Sequence, residues 1–252
     1  EAIAVPTIAL RLDYNEDLLT RLAATSQGNH SFVAEPEELH AAFEKEFGKG
    51  LSVAAQRLHL VLRFSPWVKA LRVMNAPADV LGDRVELDIS QLYSGKEATL
   101  LLELEMTPPS DEGHVEANPM AELQLKYAEM PNGTPRELDQ VVELHLARDK
   151  AEQSASTNRE VRIAYAQQTA MDRWLQAVHL RDKGQVDEAS DLLHESATFL
   201  AKEAKATASD LLVQMSQGAE REAAEIKNRR VWKLQRKRMQ TIQVIRLPSS
   251  GY

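Results

Sequence analysis

Seven histidines, 38 acidic side chains and no cysteine are the raw material for chemistry in this 252-residue chain. The histidines (His30, His40, His59, His114, His145, His179 and His194) include no pair at the His-x-x-x-His spacing that sets two imidazoles on one helix face around zinc. Without cysteine there is no disulfide, thiolate metal site or thiol nucleophile. No Gly-x-Ser-x-Gly elbow, phosphate loop or dinucleotide fingerprint occurs. Asp111-Glu112-Gly113-His114 lacks the alternating ligands of a calcium loop and reads as a solvated hairpin connection. Glu35, Glu37 and Glu38 sit at a helix start, and Glu44 and Glu46 on an exposed helix face, so solvation accounts for them. His30, behind Gly28-Asn29, reads as a strand-entry residue.

The densest charge is basic. Lys227, Arg229, Arg230, Lys233, Arg236, Lys237 and Arg238 surround Trp232, seven cations within twelve residues. Such a run can meet phosphate groups or an anionic membrane surface weakly. The competing account packs Ile226, Trp232 and Leu234 inward and turns the cations to acidic neighbours or water, and the acidic balance of the rest favours it. The formal charge of −8 argues against general nucleic-acid binding, because an acidic surface repels a polyanion. A hydrophobic content of 43% supports real cores, and the length suits two or three modest domains. No apolar run approaches the ~18–20 residues that span a bilayer.

Hydrophobic period divides the chain in three. Residues 1–50 read as strand, helix, strand, helix. The run from Ile3 to Leu10 is nearly all apolar, which suits a strand buried on both faces of a parallel sheet. Asp13 or Asn15 is placed to cap the next helix, with Glu16 and Asp17 in its first turn and Leu18, Leu19 and Leu22 as its inner stripe. Gly28 stops it; Ser31-Phe32-Val33 and a helix over 37–47 follow. This is the closing half of an α/β sheet without an opening half, and an unpaired apolar strand edge over residues 3–10 would invite aggregation. That edge is expected to be covered by another copy, a partner chain or another element.

The period then becomes two. Strands are predicted around Leu58–Phe64, Val85–Ile89, Ala98–Leu104, Leu123–Tyr127 and Leu138–Leu146, with Asn132-Gly133 as a tight-turn signal. An antiparallel β-sandwich over 56–148 follows. Trp67, after Pro66, is expected to close one end of it. Asp149 to Thr157 reads as a polar linker. Beyond it, Val161, Ala164, Tyr165, Met171, Trp174, Leu175 and Val178 mark one amphipathic helix, with Trp174 in its core stripe. Val186 to Leu200 marks its antiparallel partner across Lys183-Gly184-Gln185, and a third helix runs from Ala208 to about Met239.

Three groups of residues carry a family resemblance. They are Thr7-Ile8-Ala9-Leu10 with Asp13-Tyr14-Asn15-Glu16-Asp17-Leu18-Leu19 and Gly28-Asn29-His30; Leu81-Gly82-Asp83-Arg84-Val85 with Leu92-Tyr93-Ser94-Gly95-Lys96-Glu97; and Leu180 to Ala189 with the basic Trp232 to Arg238. They resemble the end of a von Willebrand factor A domain and the β and helical parts that follow it in many bacterial proteins. The resemblance implies an α+β multidomain chain: the C-terminal part of a von Willebrand factor A-like α/β unit (1–55), a β-sandwich (56–148) and an α-helical region with a hairpin and a long helix (149–252).

It also implies protein–protein binding or adhesion rather than catalysis, at the bacterial cell envelope or exported, with the cytoplasm as the alternative. Family members hold Mg²⁺ on an Asp-x-Ser-x-Ser motif, completed by a partner's acidic group. That motif is absent here, so no cofactor is expected in this chain. The binding candidates are Asp13, Tyr14, Asn15 and Glu16 on the rim after the first strand, and Arg229, Arg230, Trp232, Lys233 and Arg236 in the basic run. The alternative is a scaffold or assembly module acting through the helical, basic tail.

Overall fold

The computed structural model describes residues 5–10, 14–26, 28, 30–47, 52–95, 97–107, 118–145, 147 and 149–228. Asp13 and the basic candidates Arg229, Arg230, Trp232, Lys233 and Arg236 lie outside the described residues, as does the Asp111–His114 connection.

The first unit is a β-α-β crossover followed by a helix. Strand β1 (Thr7–Leu10) pairs in parallel with β2 (His30–Val33), from Thr7 opposite His30 to Leu10 opposite Val33. Helix α1 (Glu16–Thr25) connects them. A 3-10 turn at Pro36–Glu38 leads into α2 (Leu39–Phe47), later than the start expected at 37. Pro36 suits the first helical position, where no amide donor is needed. The Glu38 carboxylate accepts from the amide of the cap residue Glu35 at 3.5 Å, as a capping-box acid does, and from the Ala34 amide at 3.2 Å. Among the described residues no further strand pairs with β1 or β2.

The orientation of α1 corrects the sequence reading. Leu18 and Leu22 are 61% and 47% exposed, whereas Thr20 and Ala23 are buried. Close backbone approach is the reason. A Cβ on Gly28 would lie 2.3 Å from the Val5 carbonyl oxygen, and the Ser26 hydroxyl accepts from the Val5 amide at 3.1 Å. Small residues therefore line the contact with β1, Leu18 and Leu22 turn outward, and Leu19 of the expected stripe stays half-buried. Gly28 serves this approach, and not a left-handed helix cap.

The middle unit holds two antiparallel sheets. One has the order β5-β6-β3-β8-β9 and the other is β4-β7. The strands are β3 (Val53–Phe64), β4 (Val68–Val73), β5 (Asp79–Val80), β6 (Arg84–Tyr93), β7 (Leu102–Met106), β8 (Asn118–Glu129) and β9 (Thr134–Leu144). Their shared core is a sandwich core: Leu62 and Val85 from the larger sheet meet Ala70 from the smaller, flanked by Leu60, Leu104 and Leu123. Strand β3 starts at Val53, ahead of the expected boundary, and is bulged at Arg57, whose φ is +52°. Trp67 lies half-buried in the β3–β4 turn, its carbonyl accepting from the Thr107 amide at 2.9 Å. At roughly 4.8 Å per strand, two strands cannot cover five. The β9 flank is left open, and Thr134 to Val141 are all exposed.

Two sequence expectations fail here. Strand β4 carries Lys69 and Arg72 among its apolar residues and was not foreseen. The segment before Leu102, expected as strand from Ala98, is held instead by the buried Asn75 side chain. Asn75 donates to the Thr99 carbonyl at 2.5 Å and accepts from the Leu101 amide at 2.8 Å. With the Met74 amide donating to the Leu101 carbonyl at 2.8 Å, that side chain stands in for a strand ladder.

The helical region has four helices. Asp149 caps α3 (Lys150–Ser156), accepting from the Ala151 and Glu152 amides at 2.8 Å, so the expected linker is a short helix. Asn158 caps α4 (Arg159–Asp182), and Gly184, at φ +85°, turns the chain into α5 (Val186–Thr207). Ser209 caps α6 (Asp210–Glu225), which is shorter than the helix expected from Ala208 to Met239: Ala208 is left-handed at φ +47°, and the helix ends at Glu225 with Ile226 and Lys227 in a turn, while positions beyond 228 lie outside the described residues. Buried Ala166, Ala170, Ala177, Ala189, Ala197 and Ala219 let the helices approach closely, with Trp174, Leu193, Leu200 and Leu212 filling the space between. Arg162 closes on Glu203 at 2.5 Å, tying α4 to α5. Arg72 bonds Glu103 at 2.6 Å and reaches Asp172 of α4 at 3.5 Å, linking the smaller sheet to the helices. Among the described residues no helix is long and apolar enough to cross a membrane.

Candidate functional site

The rim candidates sit where β1 hands over to α1. Asn15 is the helix cap: its Oδ1 accepts from the Leu18 amide at 3.0 Å. Glu16 and Asp17 occupy the first turn of α1, where the helix dipole favours acids. Tyr14 turns inward. Its ring stacks on Phe32 at 6.1 Å and tilts against His30 at 6.0 Å. Burial, with the Glu16 charge beside it, pushes the Tyr14 phenol up to about 12.

Beneath Tyr14 lies a buried polar pair. The Thr7 hydroxyl is 2.8 Å from His30 Nδ1 and 3.4 Å from the Leu19 carbonyl. The direction of the short Thr7–His30 bond follows the imidazole tautomer: a protonated Nδ1 donates to Thr7 and frees the hydroxyl proton for the Leu19 carbonyl, whereas a bare Nδ1 accepts from Thr7. His30, a strand-entry residue, thus staples the amino end of β2 to β1.

These residues do not fit a divalent cation. Mg²⁺ needs several hard oxygen ligands converging on one point. The Asn15 oxygen is committed to the helix cap and the Tyr14 phenol stays protonated, which leaves Glu16 as the one anionic oxygen donor of the three described rim residues. Among the described residues no group of three or more His, Asp or Glu side chains is placed to hold a metal.

What the unit does present is apolar. Leu18 and Leu22 lie one helical turn apart on the outward face of α1, and Phe43 of α2 and Leu10 of β1 are also exposed. In the helical region the grooves beside α5 are shallow and open, lined by Ala197, Thr198, Ala201 and Glu220 among others. The start of the basic run is anchored: Lys227 pairs with Asp187 at 2.9 Å, and Arg181 donates to the Ile226 carbonyl at 2.8 Å.

Sequence reasoning missed Glu222. Its Oε2 is enclosed in α6 with no hydrogen-bond partner among the described residues. Burial, reinforced by Glu225 and opposed by Arg221, raises its carboxyl to about 7. The signal was present: Leu212, Met215, Ala219, Glu222 and Ile226 recur at helical spacing, so an acid stands in an apolar stripe.

Comparison with known proteins fits this geometry. No family model matches the chain. Over 142 residues, 52% of the chain, it is 24% identical to an uncharacterized protein of Synechocystis, of which the match covers 33%. The structure of von Willebrand factor type A from Catenulispora acidiphila matches 88% of the chain and 57% of its own length, with TM-score 0.59 and 12% identity. The ArnB paralog VWA2 from Sulfolobus acidocaldarius matches 98% of the chain and 56% of its own length, with TM-score 0.48 and 17% identity. The chain therefore spans a third of the curated relative and a little over half of the solved structures. The parallel β-α-β unit, the antiparallel sheets and the C-terminal helices together make this chain von Willebrand factor A-like in fold.

Proposed function

We propose that the chain is a non-enzymatic protein-binding module, of adhesion type, whose first unit meets a protein partner through the outward face of α1. One observation carries the reading: Leu18 and Leu22, adjacent on a helix, face solvent while the small residues of the same helix face the sheet. Paired exposed leucines one helical turn apart are the start of an apolar contact patch, a feature that monomeric surfaces seldom enlarge without use. Because the Asp-x-Ser-x-Ser motif is missing and the rim residues do not converge on a point, binding proceeds without a metal in this chain.

The test is affinity capture from extract of the source cells. The intact chain is compared with Leu18→Glu/Leu22→Glu and with Thr198→Glu, a control on the exposed side of α5. Partners held by wild type and the control are expected to be lost from the double variant, and Mg²⁺ or chelator should change nothing. The same partners held by all three proteins would refute the reading. The anchored base of the basic run supports a second reading, a scaffold acting through residues 227–238. Loss of partners on reversing Arg229, Arg230 and Lys233, with the leucine variant unaffected, would select it.

A further inference from the structure

Strand β9 is an edge of unusual openness. It is the outermost strand of its sheet, paired with β8 from Thr134 opposite Glu129 to Leu144 opposite Asn118. Among the described residues no strand lies on its other side. In an antiparallel ladder alternate residues direct both backbone groups away from the neighbour, so roughly half of the β9 amides and carbonyls point outward. Natural edges are guarded by shortness, proline, lysine or a covering element. β9 has eleven residues, no lysine, and proline only at Pro135. Its cation, Arg136, is held by Glu129 of the neighbouring strand at 2.7 Å.

The two faces of this edge differ. One row carries Glu137, Asp139, Val141 and Glu143. Lys126 reaches Glu137 at 3.4 Å, and Asp139 has Gln124 at 3.3 Å. The other row carries Leu138, Gln140 and Val142, with Leu138 opposite Leu125 and 48% exposed where the smaller sheet fails to reach. A second copy is disfavoured. Two-fold antiparallel pairing of β9 with itself, centred on any residue from Leu138 to Val141, sets Glu137 against Asp139, Asp139 against itself, Glu137 against Glu143, or Asp139 against Glu143. Like charges directly opposite destabilise a ladder.

We propose that the β9 edge takes up, as an added antiparallel strand, an extended partner segment with lysine or arginine at alternate positions and aliphatic residues between them. The cations meet Glu137, Asp139 and Glu143, and the aliphatic side chains extend the Leu138–Val142 row. This surface is distinct from the α1 leucine face, and either can fail alone.

The probe is a fluorescein-labelled synthetic peptide of alternating lysine and valine, titrated against the intact chain at physiological salt. Controls are a peptide of the same composition in two blocks, and two versions N-methylated on every lysine or on every valine. The alternating peptide should bind on the order of tenfold more tightly than the block peptide. One methylated version should lose binding and the other keep it, because only one alternate set of amides faces β9. Glu137→Lys/Asp139→Lys, with its thermal unfolding checked, should weaken binding on the order of tenfold. In wild-type protein, hydrogen exchange at alternate β9 amides should slow when the peptide is added, a readout that needs no variant. Equal binding of all four peptides would reduce the effect to charge attraction and overturn the proposal, as would no binding at all. Alternate β9 amides already protected without peptide, in a monomer or a dimer, would show the edge occupied by the chain itself or its copy and would overturn it too.

Discussion

Replacing Glu222 by glutamine should make the helical region more stable at alkaline pH and remove part of its pH dependence. In the folded chain the carboxyl is raised from 4.5 to about 7 by burial, with the Glu225 charge adding to the shift and Arg221 opposing it. A folded state that binds the proton more tightly than the unfolded state is favoured at low pH. The contribution is fully present below the unfolded value of 4.5 and is lost as pH rises through about 7. At ~1.4 kcal/mol per pH unit the loss amounts to about 3 kcal/mol by pH 8. Glutamine cannot ionise, so the wild-type and Glu222→Gln proteins should differ little near pH ~5, and the variant should be the more stable by about 2–3 kcal/mol near pH ~8. Urea unfolding followed by helical circular dichroism at the two pH values reads this directly, and the wild-type minus variant difference cancels the histidines that titrate in the same range. Parallel pH profiles for the two proteins would show that the Glu222 carboxyl is hydrated, and would refute the argument from its enclosed oxygen.

Two further outcomes probe the packing. Asn75→Ala removes both side-chain bonds to the segment before Leu102 and leaves the Leu101 amide without its acceptor; a loss of about 2 kcal/mol in urea unfolding is expected. Gly28→Ala places a Cβ 2.3 Å from the Val5 carbonyl oxygen, which is backbone and has little room to yield. It should lower stability by about 2 kcal/mol or more and speed amide exchange in β1, whereas Gly133→Ala, with open space around its site but a φ of +67°, should cost about 1 kcal/mol.

Periodicity made most of the architecture legible. The alternation of Leu58, Leu60 and Leu62, and of Val85, Leu87 and Ile89, marks adjacent strands that pair Leu58 with Ile89 and Leu62 with Val85. The α4–α5 hairpin was readable from its apolar stripes and Gly184. What escaped the sequence depended on contacts between distant residues. Nothing near Ala98 announces that Asn75 will supply the hydrogen bonds a neighbouring strand would otherwise give. The leucines of α1 read as its inner stripe by size, and only the close packing of Gly28 and Ala23 turns Leu18 and Leu22 outward while Leu19 stays half-buried. Glu222 looked like one acid among many because its charge hid its position in the stripe. At the candidate site, Asn15 was legible as a cap because its side chain acts within its own helix turn. The inward packing of Tyr14 on His30 and Phe32 was not, since it needs the crossover to bring β2 beneath it.

The proposed protein partner on the outward face of α1 can be caught by site-specific photocrosslinking. A photoreactive residue in place of Leu22 should yield a covalent adduct with a discrete partner, blocked by the Leu18→Glu change on the same face. One in place of Thr198 should give none. Equal adducts from both positions, or adducts from Thr198 alone, would contradict the claim.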